Sequence, residues 1–251
     1  YHQTMEDYFA AKARLFSEVL QPQGIAVLNA DDEHFPRVEK ICRNSGHKII
    51  SFGENGSDIR LLKRTPRPAG QDVTISVFGR NFDLTIPLVG HFQVMNALCA
   101  LGLVLAGDGD ADIVVPTLEK LEGVPGRLQL VSGHPAKAAV YVDYAHKPGA
   151  VEAVLNTLRP HTEGRLICLF GCGGNRDAGK RPIMGRIASG LSDLVIVTDD
   201  NPRNENPRSI RAAILEGAPD AMEIADRREA ILWAVEDLEE GDVLVIAGKG
   251  H

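Results

Sequence analysis

Four times in the second half of the chain an apolar segment runs straight into a loop of glycine and charged residues: VYVDYAHKP, LICLFGCGGNRDAGKRP, LVIVTDDNPRNENP and VLVIAGKGH. The apolar parts, Ala138 to Tyr144, Arg165 to Gly171, Asp193 to Asp200 and Asp242 to Ala247, are short, β-branched and nearly continuous. That is the pattern of strands buried on both faces, so they are expected to be parallel. Between them, Gly149 to Leu158, Pro182 to Leu191, Pro207 to Glu216 and Arg228 to Leu238 carry helical spacing, as in Val151, Val154, Leu155 and Leu158. Alternating strand and helix predicts a right-handed crossover sheet, in which ligands bind outside the carboxyl ends of the strands. All four charged loops fall at those ends, where they can build one site.

The chain has 251 residues and is 44% hydrophobic, enough for a substantial core and two domains. No apolar run approaches the roughly 20 residues of a membrane helix, and the opening YHQTMEDYFAAKARLF reads as an amphipathic helix, not an export leader. Its four cysteines, Cys42, Cys99, Cys168 and Cys172, form no CxxC pair; reduced thiols in a cytoplasm and ordinary packing are expected, not a zinc site. A net charge of -7 argues against a nucleic-acid surface. Basic residues are local instead: Arg176, Lys180, Arg181 and Arg186 crowd one loop and its helix, and Arg203 and Arg208 the next. Arginines gathered at strand ends suit a small anion, though each also fits a solvated helix start.

The first half opens with a helix capped by Thr4, with Asp7 three residues on and an apolar stripe of Tyr8, Phe9, Ala11, Leu15, Phe16 and Val19. A strand over Gly24 to Leu28, a helix over Glu33 to Cys42 and a strand over Lys48 to Phe52 follow. Alternation in Val73-Ile75-Val77 and Phe82-Leu84-Ile86 predicts an antiparallel hairpin turning around Gly79-Arg80-Asn81. Helices over Phe92 to Leu105 and Ile113 to Leu121 close this half, and Glu122 to Gly126 is the expected boundary.

Gly174 to Lys180 has P-loop spacing, but Arg181 replaces the Ser or Thr that would hold magnesium, and Pro182 follows. A Gly-rich anion-binding turn and a P-loop phosphotransferase are the two readings it offers. In Asp200-Asn201-Pro202-Arg203, Asn201 offers donor and acceptor and Arg203 a guanidinium fork, which suits an amino-acid group; a simple cap for the helix near Pro207 is the other reading. Lys12, among alanines, reads as a lysine extended to water, and His2 carries no signal of its own. Asn96, in a helix otherwise apolar, reads as buried, with either a base-edge contact or an internal hydrogen bond.

Together YHQTMEDYFAAKARLF, LNADDE, GHFQVMNALCAL, GVPGRLQLV, VDYAHKPGAV, FGCGGNRDAGKRPIMG, TDDNPRNENP and VIAGKGH resemble the Mur ligase family, and within it the members that add the third amino acid. The resemblance covers nearly the whole chain. It implies an α/β fold: the remainder of a mixed-sheet ATPase domain over residues 1–124, then a Rossmann-like, mainly parallel domain over 125–251. It further implies that the family's UDP-sugar domain, true P-loop and magnesium-binding Glu lie before Tyr1. A Glu that contacts the amino acid would follow His251, so the chain is expected to be an inactive fragment.

The implied activity is ATP-dependent addition of meso-diaminopimelate to UDP-MurNAc-L-Ala-D-Glu in peptidoglycan precursor synthesis, by a cytoplasmic monomer using ATP and Mg2+. By resemblance Lys12 is a carbamylated lysine and His2 a magnesium ligand. Asn96 matches an adenine contact, Arg127 and Asp143 match nucleotide-holding residues, and His146 and Lys180 fall in catalytic motifs. Arg176, Asp200, Asn201, Pro202, Arg203 and Gly248 match the diaminopimelate pocket. An Arg at the position of Arg203 goes with diaminopimelate rather than L-lysine in this family; leaving such an Arg buried and unpaired costs several kcal/mol. An L-lysine-adding ligase is the nearest alternative. Gln93 stands where relatives often carry Asn, and Asn175 where Asp is common.

Overall fold

The structure, a computed structural model, describes residues 4–131 and 134–249. It divides into two compact units: Tyr1–Thr65 with Asp72–Ile86 and His91–Leu121, and Pro66–Gln71 with Pro87–Gly90 and Glu122–His251.

In the first unit α1 (Met5–Arg14) starts at the predicted cap: Thr4 Oγ accepts from the Asp7 amide, and the Asp7 carboxylate accepts from the Thr4 amide, each at 3.1 Å. A π-helical segment, Leu15–Val19, continues it. There follow β1 (Ile25–Asn29), α2 (Phe35–Asn44), β2 (Lys48–Gly53), β3 (Ile59–Arg67), β4 (Gly70–Val77) and β5 (Arg80–Ile86), in one sheet of order β1-β2-β3-β4-β5. β1 and β2 are parallel, as are β2 and β3. The hairpin is present, but β4 and β5 are joined by Phe78 and Gly79, one residue earlier than expected. Both turn residues have positive φ, 47° and 82°, the conformation that matches the strands' twist in a two-residue hairpin. The long α3 (His91–Ala106) buries Val94, Ala97, Leu98, Leu101 and Leu105. The helix expected over Ile113 to Leu121 is instead a single turn, α4 (Ala111–Val114), then a 3-10 stretch over Val115–Lys120. Pro116 lacks an amide for the α-helical ladder, which accounts for the change.

The second unit contains the expected parallel sheet. Its strands are β6 (Gln129–Val131), β7 (Ala139–Asp143), β8 (Leu166–Phe170), β9 (Leu194–Val197), β10 (Met222–Glu223) and β11 (Val243–Ala247), ordered β10-β9-β8-β11-β7-β6. Every pairing is parallel except that of β6 with β7. Between them run α5 (Pro148–Leu158), α6 (Lys180–Leu191), α7 (Pro207–Leu215) and α8 (Arg227–Glu236). Alternate strand residues face opposite ways. Tyr141, Cys168, Phe170, Val197 and Val245 pack with Val151, Leu155, Met184, Ala188 and Ile210 of α5 to α7. Val140, Ile167, Leu169, Ile196 and Leu244 pack with Ala230 and Ala234 of α8. A sheet covered on both faces explains why these strands read as unbroken apolar runs. Burying a side chain such as Phe170 completely contributes about 1.5–3 kcal/mol.

Register brings the strand ends level: Ala247 pairs with Asp143, Ile246 with Leu169 and Phe170 with Val197. The four charged loops therefore leave the sheet side by side. Among the described residues no helix is long and apolar enough to cross a membrane.

Candidate substrate-binding site

The loops beyond β7, β8, β9 and β11 enclose a cleft of about 930 Å³ within the second unit. His146 enters it from the β7 loop, Arg176 and Lys180 from the β8 loop, Asp200, Asn201 and Arg203 from the β9 loop, and Gly248 and Lys249 from the β11 loop. With Lys147 of the β7 loop, cations from all four loops face two carboxylates, Asp177 and Asp200, and the carboxamide of Asn201. The set fits a ligand with several carboxylates and an ammonium, since guanidinium and ammonium groups pair the former and Asp200 the latter.

Each loop is fixed by contacts in and around the cleft. Asp143, 6% exposed, accepts from the Leu128 amide at 2.8 Å and the Ala145 amide at 2.7 Å. Both its oxygens therefore orient the β7 loop. Arg127 lies over the Tyr144 ring, 5.0 Å from its centroid, and the rings of Tyr144 and His146 meet edge to face at 4.6 Å. Lys180 Nζ donates to the His146 carbonyl at 2.7 Å, tying the β7 and β8 loops. Arg227 donates to the Ala247 carbonyl at 2.8 Å, anchoring the end of β11 before Gly248. Lys249 Nζ lies 3.5 Å from an Asp200 oxygen.

The β8 and β9 loops touch backbone to backbone. A Cβ on Gly174 would stand 1.9 Å from the Pro202 carbonyl oxygen, a distance no side chain can occupy. The Gly174 amide donates to the Asn201 carbonyl at 2.9 Å, and Arg203 Nη1 to the Gly174 carbonyl at 2.8 Å. Arg203 holds a left-handed φ of 50°, and its amide donates to Asn201 Oδ1 at 3.2 Å. The helix α7 is capped by Asn206, which accepts from the Arg208 amide at 2.9 Å, so the Asp200 to Arg203 segment is not its cap.

Several expectations are corrected here. Arg203 is exposed, not buried, because it sits at the mouth of an open cleft. An unsatisfied Arg203 therefore costs far less than a buried charge would. Asn96 is also exposed, on the outer face of α3, and Nδ2 donates to Gln93 Oε1 at 3.2 Å. Arg181 does not belong with the anion-binding group: it is 4% exposed and pairs with Glu205 at 2.9 Å. The P-loop reading also loses its amides. Those of Gly174, Asn175 and Gly179 already donate to the Asn201 carbonyl, the Glu205 carboxylate and Asp177 Oδ1. A phosphate cradle needs such amides unoccupied.

Cys168 and Cys172 are packing residues, as expected. Burial pushes the Cys168 thiol up to about 12, and the Cys172 thiol up to about 11 against the pull of Lys180 and Arg181. Glu205 is held below the usual carboxylate range by the Arg181 guanidinium and the Asn175 amide.

In the first unit, exposed Lys12 lies 5.5 Å from the centroid of the Tyr8 ring and lines a cleft of about 560 Å³ with Phe9, Phe16, Leu28 and Asp32. His2 lies outside the described residues. Among those described, no group of three His, Cys, Asp or Glu side chains could hold a metal ion. An unmodified lysine ammonium repels a cation, so Lys12 could serve a metal only as a carbamate; the residues as they stand do not build a magnesium site.

Tyr144, Lys249 and Glu205 shape the cleft without having been singled out in the sequence. Lys249 and Glu205 lie within quoted strings, but only the folded loops reveal their partners.

Residues 126–250 match the family of the Mur ligase, glutamate ligase domain, and residues 1–104 the Mur ligase middle domain. The chain is similar to UDP-N-acetylmuramoyl-L-alanyl-D-glutamate--2,6-diaminopimelate ligase of Caulobacter vibrioides, 54% identical over 251 residues, covering 100% of this chain and 52% of that protein. It is 49% identical to the ligase of the same name from Zymomonas mobilis, with the same coverage. A solved structure of a ligase of that name superposes with a TM-score of 0.82 at 38% identity, covering 100% of this chain and 52% of the other. The chain thus spans about half the length of the curated relatives it matches.

Proposed function

Because the chain belongs to the Mur ligase family, we propose that the full-length protein is an ATP-dependent amide ligase adding meso-diaminopimelate to UDP-MurNAc-L-Ala-D-Glu. The observation that supports this substrate is the cleft in which Arg176 and Arg203 accompany Asp200 and Asn201. Arg203 and Arg176 would take the carboxylate at the far end of the amino acid, Asn201 and Gly248 its polar groups, and Asp200 an ammonium, with Pro202 stiffening the loop between Asn201 and Arg203.

A carboxylate is a poor electrophile. In the proposed reaction an oxygen of the D-Glu γ-carboxylate attacks the γ-phosphorus of ATP, ADP leaves, and an acyl phosphate forms. The diaminopimelate amine then attacks the acyl carbon, losing a proton as phosphate departs. His146, whose carbonyl is held by Lys180, stands in the cleft where that amine would arrive. Lys180 would offset charge on the departing phosphate. Asn96 would contact the adenine, and Arg127 with the Asp143 loop the rest of the nucleotide. The described residues do not assemble a magnesium site, so no step is assigned to the ion.

The reading places the enzyme in the cytoplasm as a monomer. Ligase activity belongs to the full-length protein, and the 251-residue chain by itself is expected to be inactive. The test is phosphate release by the full-length protein with UDP-MurNAc-L-Ala-D-Glu and ATP, comparing meso-diaminopimelate with L-lysine. With Arg203 exposed, one charged hydrogen bond of about 2 kcal/mol predicts roughly a 30-fold preference in kcat/KM for diaminopimelate. Equal rates would overturn the assignment.

A further inference from the structure

One carboxylate behind the cleft holds two of its loops together. Glu205, two residues beyond Arg203, accepts from the Asn175 amide on one side and from Arg181 Nη2 at 3.0 Å. Asn175 has a left-handed φ of 53° and stands next to Arg176. Its side-chain oxygen accepts from the Asn204 amide at 3.0 Å, closing the link from the other direction. Arg181 has a side chain only 5% exposed, and its Nε is buried with no hydrogen-bond partner. Glu205 is thus the carboxylate that neutralises a buried guanidinium, and removing it would leave an uncompensated charge in the interior.

Neither Glu205 nor Arg181 lines the cleft, but each is one or two residues from groups that do. We propose that the Arg181–Glu205 pair is a positioning device: it sets the separation of Arg176 and Arg203, and so the preference for an amino acid carrying a second carboxylate. This rests on the amino-acid-ligase reading above. Losing a pair that only stabilised the fold would lower the unfolding temperature and leave the choice of amino acid unchanged. A pair that sets the spacing of two recognition groups should act on binding, because a displacement of about 1 Å is enough to cost up to a hundredfold.

The experiment compares full-length wild type with E205A, E205Q and R181M/E205L, measuring kcat and KM for meso-diaminopimelate, KM for ATP, kcat/KM for L-lysine and the unfolding midpoint. In E205A the diaminopimelate KM should rise about tenfold, with kcat within about threefold and the ATP KM unchanged, and the diaminopimelate-to-lysine ratio should fall by a similar factor. E205Q keeps an acceptor for the Asn175 amide and should recover most of that loss. R181M/E205L removes the buried Arg181 charge together with its carboxylate partner, so it should fold even if E205A does not, and it should show the same fall in ratio. An unchanged ratio in R181M/E205L, or in a folded E205A, overturns the proposal. A wild type that fails to use diaminopimelate at all overturns instead the reading on which it rests.

Discussion

Phe78 occupies a left-handed conformation, φ 47°, at the first position of the β4–β5 turn, and the residue is 54% exposed. A bulky side chain there crowds its own carbonyl and gains little from burial in return. Replacing Phe78 with Asn should stabilise the chain by about 1 kcal/mol, seen as a rise of about 2–4 °C in the thermal midpoint by circular dichroism. Gly174→Ala should do the opposite, because the new methyl would meet the Pro202 carbonyl at 1.9 Å and force the β8 and β9 loops apart. Its cost, about 1–3 kcal/mol, should appear in the midpoint together with faster amide exchange at Gly174. The buried thiol of Cys172, pushed up to about 11, should resist alkylation at pH 8 until the protein is denatured. At this scale the sequence was uneven evidence. The Thr4–Asp7 cap could be read from spacing because its partners are three residues apart, whereas the exposure of Asn96 and Arg203 and the burial of Arg181 depend on distant segments.

β11 is held at its start by Asp242, whose side chain is 3% exposed. Its carboxylate accepts from the Arg165 amide at 2.6 Å and from Arg165 Nε at 3.0 Å, and from the Glu239 amide at 3.1 Å. Burial opposes ionisation, but Arg165 and these amides outweigh it and hold the Asp242 carboxyl below its ordinary 3.8. Asp193 at the start of β9 is lowered likewise, chiefly by the Leu166 amide and then by Arg159. Groups depressed on folding contribute stability that is complete above their unfolded value and is lost as pH falls through the folded one. The unfolding midpoint of the second unit, followed by its single tryptophan Trp233, should therefore be nearly flat from pH 7 to about 5 and fall below about 4. Asp242→Asn should remove about 3 kcal/mol at pH 7 and weaken that acid dependence. The strands of this sheet were legible because burial on both faces writes itself as continuous apolar sequence. β3 was not: Lys63, Arg64 and Pro66 interrupt its pattern, and it pairs with β2 over only two residues at its start. β6 and β10, with three and two residues, are too short to carry a period.

Across the whole molecule, the sheet order could be anticipated only as far as parallel strands alternating with helices; which strand neighbours which is decided by packing. Placing β11 between β8 and β7 brings the last loop of the chain beside the first two of the sheet, and so makes one cleft from segments a hundred residues apart. The central claim is that this cleft reads a second carboxylate through Arg203. The most direct measurement is the ratio of kcat/KM for meso-diaminopimelate over L-lysine in the full-length protein, wild type against Arg203→Asn, since Asn tolerates the left-handed φ of 50°. The account predicts that the ratio falls from about 30 to near unity, chiefly through KM for diaminopimelate. A ratio that stays at the wild-type value in a folded Arg203→Asn enzyme would contradict it.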